Sequence, residues 1–144
     1  MTGERSGRVL AIDPGTVRVG VAVSDSARQM AFPREAVAAG PSLVDTLVQL
    51  IDDEAPVTVV VGLPLTLDGQ RAQAAASATA LFEQLQRRLE GTGIEVVQHD
   101  ERLTTKVAAR QMTASGTSQR AGRSRIDSAA ASVLLQGFLD GGSR

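Results

Sequence analysis

Two apolar segments begin the regular pattern of the sequence. Residues 9–13 form a short apolar run that ends in Asp-Pro-Gly, and residues 17–24 place valine at every second position. Short apolar runs and strict alternation are both typical of strands, while Pro-Gly marks a turn. The pattern therefore predicts two antiparallel strands joined by a tight turn. A third, shorter strand is predicted at 34–38, after a loop that contains Pro33.

The period then becomes helical. Apolar residues recur at spacings of three and four over 43–53 and 71–90, and apolar runs at 57–61 and 94–98 follow these segments. Ser42 with Asp45 resembles a capping box. Further helices are predicted at 105–114 and 126–139. Because crossover connections are right-handed, the sequence predicts an α/β fold: a mixed five-stranded sheet, three antiparallel strands then two parallel ones, flanked by helices.

The length of the chain and the polarity of its segments indicate its domain organisation and location. A chain of 144 residues allows one domain, which we expect to span 8–140, with a disordered start at 1–7 and a tail at 141–144. No apolar run reaches the roughly 18 residues of a membrane helix. The polar first residues show no secretory signal. We therefore expect a cytoplasmic protein without membrane contact.

Composition removes several kinds of chemistry. The chain has no cysteine and a single histidine, which excludes disulfides, thiolate metal sites and clusters of several histidines. His99 alone favours a structural role. Three phenylalanines without tyrosine or tryptophan leave little with which to stack unpaired bases. Any contact with nucleic acid would therefore go through the phosphate backbone.

Acidic residues stand at the ends of predicted elements. Asp13 ends the first strand, Asp100 and Glu101 follow the last strand, and Asp127 begins the final helix. The carboxyl ends of parallel strands meet at one sheet edge, where such sheets bind ligands. Carboxylate oxygens suit Mg²⁺ or Mn²⁺. Each acid also has a structural interpretation: turn initiation at Asp13, a solvated strand end at 100–101, and a capping box of Ser124 with Asp127.

The net charge of -1 hides a basic stretch. Residues 102–125 carry six basic side chains and no acidic one. The six are Arg102, Lys106, Arg110, Arg120, Arg123 and Arg125. A charge run is often only a solvated face. Next to a carboxylate cluster, however, this stretch predicts binding to a duplex or junction backbone.

Four motifs carry a family resemblance. They are VLAIDPGTVRVGVAVSD at 9–25, VGLPL at 61–65 with DG at 68–69, DERLTT at 100–105, and ID at 126–127 with AA at 129–130 and LLQ at 134–136. In this order they resemble the YqgF family of Holliday junction resolvase-like proteins, also called RuvX. The resemblance covers nearly the whole chain.

The resemblance implies an RNase H-like fold and metal-dependent hydrolysis of phosphodiester bonds. Asp13, Glu101 and Asp127 would be the catalytic residues and the ligands of Mg²⁺ or Mn²⁺. Gly62 stands where many relatives carry their second acid. Gly15 would allow close backbone approach. The residues expected to contact nucleic acid are Arg102, Thr104, Thr105, Lys106, Arg110, Arg120, Arg123 and Arg125.

The resemblance to this family also implies expectations about the substrate and the oligomeric state. Its members are associated with trimming the 5' end of the pre-16S rRNA and with resolving Holliday junction DNA, so the expected partner is structured nucleic acid. Cutting two symmetric strands of a junction would favour a homodimer. The expected class is a hydrolase acting on ester bonds, as an endo- or exonuclease.

Two alternatives stay open. The DPGT segment at 13–16 also resembles the phosphate loop of actin-like ATPases and sugar kinases, although those enzymes need two lobes and 144 residues supply one. The other alternative is a non-catalytic nucleic-acid-binding factor in ribosome assembly that keeps the fold.

Overall fold

The computed structural model describes residues 7–15, 17–63, 69–100 and 128–141. Three strands come first, and helices and strands then alternate. In chain order they are β1 (Val9–Asp13), β2 (Arg18–Ser24), β3 (Ala31–Ala38), α1 (Leu43–Glu54), β4 (Thr58–Leu63), α2 (Gly69–Arg88), β5 (Glu95–Asp100) and α3 (Ala129–Gly141). The five strands form one sheet in the order β3-β2-β1-β4-β5. β1 pairs antiparallel with β2 and parallel with β4. The predicted mixed α/β sheet is confirmed.

The sheet is covered on both faces. Leu10 and Ile12 of β1 pack against the apolar sides of α1 and α2. Val9 and Ala11 point the other way and pack against α3. All four are fully buried, as expected for a central strand between helical layers.

β2 is buried more completely than its alternating valines indicate. Val19, Val21 and Val23 belong to the core under α1 and α2. Ala22, on the opposite face, is equally buried under α3. Val17 precedes the strand and is 71% exposed, so it does not share the buried valine face.

The prediction for the third strand is wrong at its start. β3 begins at Ala31, and Pro33 lies within it, paired with Ala22. Proline lacks an N–H to donate, so it is tolerated in a sheet mainly on an edge strand. β3 is an edge strand of the sheet, so Pro33 is tolerated there. The local sequence did not show that this strand lies at the edge.

The prediction of a capping box at the start of the first helix is also wrong. Ser42 precedes α1, but its side chain makes no capping hydrogen bond. The Ser42 backbone, at φ −91° and ψ 3°, is not extended as in a typical N-cap residue. Its carbonyl oxygen accepts the first hydrogen bond of the helix, from the N–H of Thr46 at 2.9 Å. At the other end Ala55 adopts a left-handed conformation, φ 52°, and its N–H reaches the carbonyl of Ile51.

Other boundaries differ by a few residues. β4 extends past the predicted apolar run at 57–61 to include Gly62, α2 begins at Gly69, and Asp100 ends β5 instead of following it. α3 begins at Ala129. The predicted helix at 105–114 lies outside the described residues. Within the described ranges, no helix has the length and apolarity needed to cross a membrane.

Two arginines join the amino-terminal edge of the sheet to α1. Arg8, just before β1, and Arg34 of β3 both bind the Glu54 carboxylate, at 2.8 and 3.1 Å. Glu54 ends α1, so these ion pairs hold α1 at the edge opposite to the ends of β1, β4 and β5.

Candidate active site

Asp13 is half-buried at the sheet edge where the parallel strands β1, β4 and β5 end. Ile12 is the register partner of Val61, so the register continues from Asp13 to Gly62. Gly62 is in turn the partner of His99 on β5. Asp13, Gly62 and His99 therefore form one row across three strands.

This row belongs to the face covered by α3. Side chains alternate along a strand, so residues two positions apart share a face. The residues two positions before the row are Ala11, Val60 and Val97, and all three are packed in the core under α3. Asp13 therefore lies on the α3 side of the edge. Its predicted meeting with Glu101 stays a prediction, because Glu101 lies outside the described residues.

Gly62 leaves the middle of the row without a side chain. It ends the buried run of β4 and pairs with His99 of β5. Neighbouring strands lie about 4.8 Å apart, so the backbones of β1 and β5 are roughly 10 Å apart. Gly62 is buried, and it contributes no side chain between Asp13 and His99.

His99 occupies the β5 end of the row and packs against an aromatic ring. Its imidazole stands edge-on to Phe138 of α3, with ring centroids 5.5 Å apart and an interplanar angle of 90°. This geometry is one that aromatic pairs prefer. The contact agrees with the structural role favoured for His99 from sequence.

Gly15 lies in the turn directly after Asp13. A Cβ at this position would collide with the carbonyl oxygen of Arg18. The backbone at Gly15 thus lies close to another part of the hairpin, and the role expected for Gly15 at the site stays a prediction. The shape of the turn depends on this close contact.

The start of α3 is tied to β2 by a side chain that sequence reasoning did not single out. The Val21 N–H donates to the Ser128 hydroxyl oxygen at 3.0 Å, although the residues are 107 positions apart. Ser128 is fully buried. A small polar residue beside Asp127 was the only signal in the sequence, and it did not indicate a partner.

Most of the predicted site residues lie outside the described ranges. Asp13 and Gly15 are described, whereas Glu101 and Asp127 are not. The same holds for the predicted nucleic-acid contacts, Arg102, Thr104, Thr105, Lys106, Arg110, Arg120, Arg123 and Arg125. No group of three or more His, Asp or Glu side chains gathers within the ranges that are described.

Two open grooves on the described surface lie away from Asp13. One, of about 730 Å³, runs between β3 and α1 and includes Glu35, Asp45 and Asp53 among its lining residues. The other, of about 620 Å³, lies beside the end of α2 and the start of β5. Neither of these two grooves is lined by Asp13.

Comparison with known proteins decides the family. A family model described as "RuvX: Holliday junction resolvase" matches residues 7–141. The chain belongs to the RuvX family. It is 43% identical to a Corynebacterium glutamicum protein named "Putative pre-16S rRNA nuclease", over 96% of this chain and 81% of that protein. A protein of the same name from Salinibacter ruber is 42% identical, over 92% of both chains. As a RuvX family member, the chain is classed as a nuclease, a hydrolase of ester bonds.

Solved structures confirm the fold of this RuvX protein. Thermus thermophilus RuvC in complex with a Holliday junction substrate superposes with a TM-score of 0.62 at 14% identity, covering 94% of this chain and 96% of that chain. The Fowlpox virus resolvase bound to Holliday junction DNA gives a TM-score of 0.54 at 9% identity, covering 95% and 99%. The RNase H-like fold implied by the sequence motifs is therefore confirmed.

Proposed function

We propose that this RuvX protein is a metal-dependent nuclease that processes pre-16S rRNA, with Holliday junction DNA as a second candidate substrate. The observation that carries the proposal is the position of Asp13, half-buried at the end of β1 on the edge shared with β4 and β5. Curated relatives at about 40–45% identity are named for pre-16S rRNA. The junction-bound structures are only 14% and 9% identical, so the rRNA precursor is the favoured substrate.

Asp13, Glu101 and Asp127 are the proposed ligands of Mg²⁺ or Mn²⁺. The donor chemistry fits, because these ions prefer carboxylate oxygens and the chain has no cysteine to favour a softer metal. Glu101 directly follows the last residue of β5, the strand that pairs with β4 at this edge. When bound, such ions activate water and stabilise the leaving oxygen in phosphodiester hydrolysis.

The basic stretch at 102–125 would bind and orient the nucleic acid. Residues 102–125 hold six of the 15 basic residues, so the rest of the chain has nine basic residues against all 16 acidic ones. A polyanion such as RNA is therefore attracted to residues 102–125 and repelled by the net negative charge of the rest of the chain. That stretch begins one residue after Glu101, which supports a role in placing the scissile phosphate beside the carboxylates.

Asp13→Asn tests the catalytic proposal. The amide keeps the shape of the side chain and removes the charge that would hold a cation. We expect cleavage of pre-16S rRNA in Mg²⁺ or Mn²⁺ to fall below detection, with RNA binding in a gel-shift assay unchanged. The matched control is Asp52→Asn, the same change on an exposed residue of α1, which should cleave like the wild-type protein.

The outcomes separate the alternatives. Unchanged cleavage by Asp13→Asn would remove Asp13 from the site. Nucleic-acid binding without cleavage in either metal would favour the non-catalytic assembly factor, and saturable ATP binding would favour the actin-like alternative. Cleavage of Holliday junction DNA is assayed in parallel. The molecular mass of the protein in solution is measured to show whether it is a monomer or a dimer. Symmetric junction cleavage by a dimer would make DNA the favoured substrate.

A further inference from the structure

We propose that the outer side of β5 is a docking site for an extended, basic segment of a partner protein, which lies beside β5 as an added strand. β5 is the last strand of the sheet, and within the described residues it pairs on one side only, with β4. The proposal is independent of the nuclease activity, because it concerns the backbone of β5 and the groove beside its start, which Asp13 does not line.

The backbone groups of β5 divide between its two sides. The Glu95 N–H donates to the Val57 carbonyl oxygen at 3.1 Å, so Glu95 is turned toward β4. Successive residues of a strand direct their N–H and C=O groups to opposite sides, so those of Val96 and Gln98 point outward. Among the residues that the structure describes, none bonds to these outward groups. A second extended backbone has donors and acceptors at the matching spacing.

β5 also has the regularity that an added strand requires. Its register with β4 runs without a shift from Glu95 to Asp100, and the strand contains no proline. Val96 and Val97 point to opposite faces of the sheet, and both are only partly buried. Val59 and Val60 of the neighbouring β4 are fully buried. An added strand would therefore cover apolar surface on both faces as well as pair the backbone.

The groove of about 620 Å³ beside the start of β5 provides room for a side chain of the added segment. Its lining includes the apolar residues Leu89, Ile94 and Val96. Residues opposite one another on neighbouring strands share a face, so the residue placed opposite Val96 would direct its side chain into this groove. Backbone pairing combined with pockets for alternate side chains is a recurring mode of peptide recognition.

The charge around β5 favours a basic occupant. Glu83 and Glu90 line the groove and are exposed, whereas Arg87 is the one basic residue among the described lining residues. Glu95 is exposed on the opposite face of β5. None of the three glutamates forms an ion pair with another described residue. Lysine or arginine side chains of an added segment would therefore find carboxylates on both faces.

Two other occupants fit this charge less well. Nucleic acid would bring its phosphates against the glutamates. A second copy of the chain, related by a two-fold axis, would present the same patch to itself, so that Glu83, Glu90 and Glu95 would meet like charges. A basic peptide segment avoids both kinds of repulsion.

The probe is a synthetic peptide of alternating lysine and valine with blocked ends and a fluorescent label, about seven residues long, which is an ordinary strand length. Binding to the full chain is measured by fluorescence anisotropy. One control peptide is N-methylated at every residue, which removes the backbone donors and keeps the charges. A second control replaces lysine with glutamate. We expect the first peptide to bind, and both controls to bind at least about tenfold more weakly.

Val96→Pro and Val96→Ala form a matched pair on the protein. Both change the valine side chain, but only proline removes the outward N–H, and that N–H is not part of the ladder with β4. We expect the Kd for the lysine–valine peptide to rise about tenfold in Val96→Pro and less than about threefold in Val96→Ala. Gln98→Pro removes the next outward N–H and serves in place of a Val96→Pro variant that does not fold.

The carboxylates are tested by the double variant Glu83→Gln and Glu90→Gln. Partly exposed ion pairs contribute little each, so we expect the Kd for the lysine–valine peptide to rise about fivefold. Asp52→Asn, the exposed change on α1, should leave the Kd as in the wild-type protein. An unchanged Kd in the double variant would overturn the basic character of the occupant.

The remaining outcomes decide the proposal. A loss confined to Val96→Pro and to the N-methylated peptide supports strand addition at β5. No binding of the lysine–valine peptide by the wild-type protein, or equal Kd values for Val96→Pro and Val96→Ala, would overturn it. So would a loss of pre-16S rRNA binding in Val96→Pro with peptide binding intact, which assigns this side of β5 to nucleic acid, and a dimer that only Val96→Pro dissociates, which assigns it to a second copy.

Discussion

Gly15 and Arg18 approach so closely across the turn between β1 and β2 that the Arg18 carbonyl oxygen fills the space where a side chain on residue 15 would begin. The turn follows directly on Asp13, which ends β1. A glycine at this position is therefore required by the hairpin itself. The close approach to a phosphate that the family resemblance implies would use a backbone already fixed by this contact.

Gly15→Ala is expected to destabilise the fold. The obstructing atom is a backbone carbonyl and cannot rotate away, so the hairpin must shift, at a cost of about 1–3 kcal/mol in the free energy of unfolding. Urea denaturation followed by circular dichroism measures this. The comparison variant is Gly91→Ala, where φ is +85° but a Cβ would meet open space, so only the left-handed strain of about 1–2 kcal/mol applies. If Gly15→Ala unfolded at the same urea concentration as the wild-type protein, the predicted clash with the Arg18 carbonyl oxygen would be contradicted.

Replacing three arginines of the basic stretch with alanine should weaken nucleic-acid binding at all sequences. For Arg120, Arg123 and Arg125 we expect a log–log salt dependence shallower by up to about three phosphate contacts, each worth about 0.9 in slope on duplex DNA. The control replaces three exposed arginines elsewhere: Arg28, Arg87 and Arg88. Equal slopes for the wild-type protein and the 120/123/125 variant would show that those arginines belong only to a solvated face.

Acid should weaken the loop between β2 and β3. The Met30 N–H and the Gln29 N–H both donate to the Asp25 carboxylate, at 3.1 and 2.8 Å, and they hold the pKa of Asp25 below its ordinary value of 3.8. Because the folded pKa is the lower one, the ionised group stabilises the fold above pH 3.8 and this contribution is lost as pH falls further.

Asp25→Asn isolates this effect, since the amide keeps an acceptor oxygen but does not ionise. We expect the variant to be less stable than the wild-type protein at pH 7 and the difference to shrink as pH falls below 3.8. Denaturation curves between pH 7 and pH 2.5 measure it, with Asp52→Asn reporting the effect of a charge change alone. A difference that stays constant across this range would contradict the assignment.

Local sequence predicted the parts of the fold that depend on local pattern. The apolar run at 57–61 indicated a strand buried on both faces, and the leucine spacing predicted the buried sides of the first two helices. Pro33 was misplaced because only its position on an edge strand makes it acceptable in a sheet. The Ser42 capping box failed because the backbone of Ser42, at φ −91° and ψ 3°, does not take the extended conformation that is typical of an N-cap residue.

The candidate site was predictable only in part. Asp13 stands at the strand end that the sequence indicated, beside the ends of β4 and β5. The row with Gly62 and His99 depends on strand register, and the bond from Val21 to Ser128 spans 107 positions. Neither relationship leaves a periodic signal in the sequence. The roles of Glu101 and Asp127 stay predictions.

Pro33 and the register shift of β3 against β2 also affect how molecules of this protein associate with one another. An edge strand with free N–H and C=O groups can template the addition of strands from other chains, which leads to aggregation. Pro33 removes one donor from β3, and the register shift against β2 interrupts the regular spacing of the others. This edge is therefore a poor template for strand addition, which favours solubility at the concentrations used for nuclease assays.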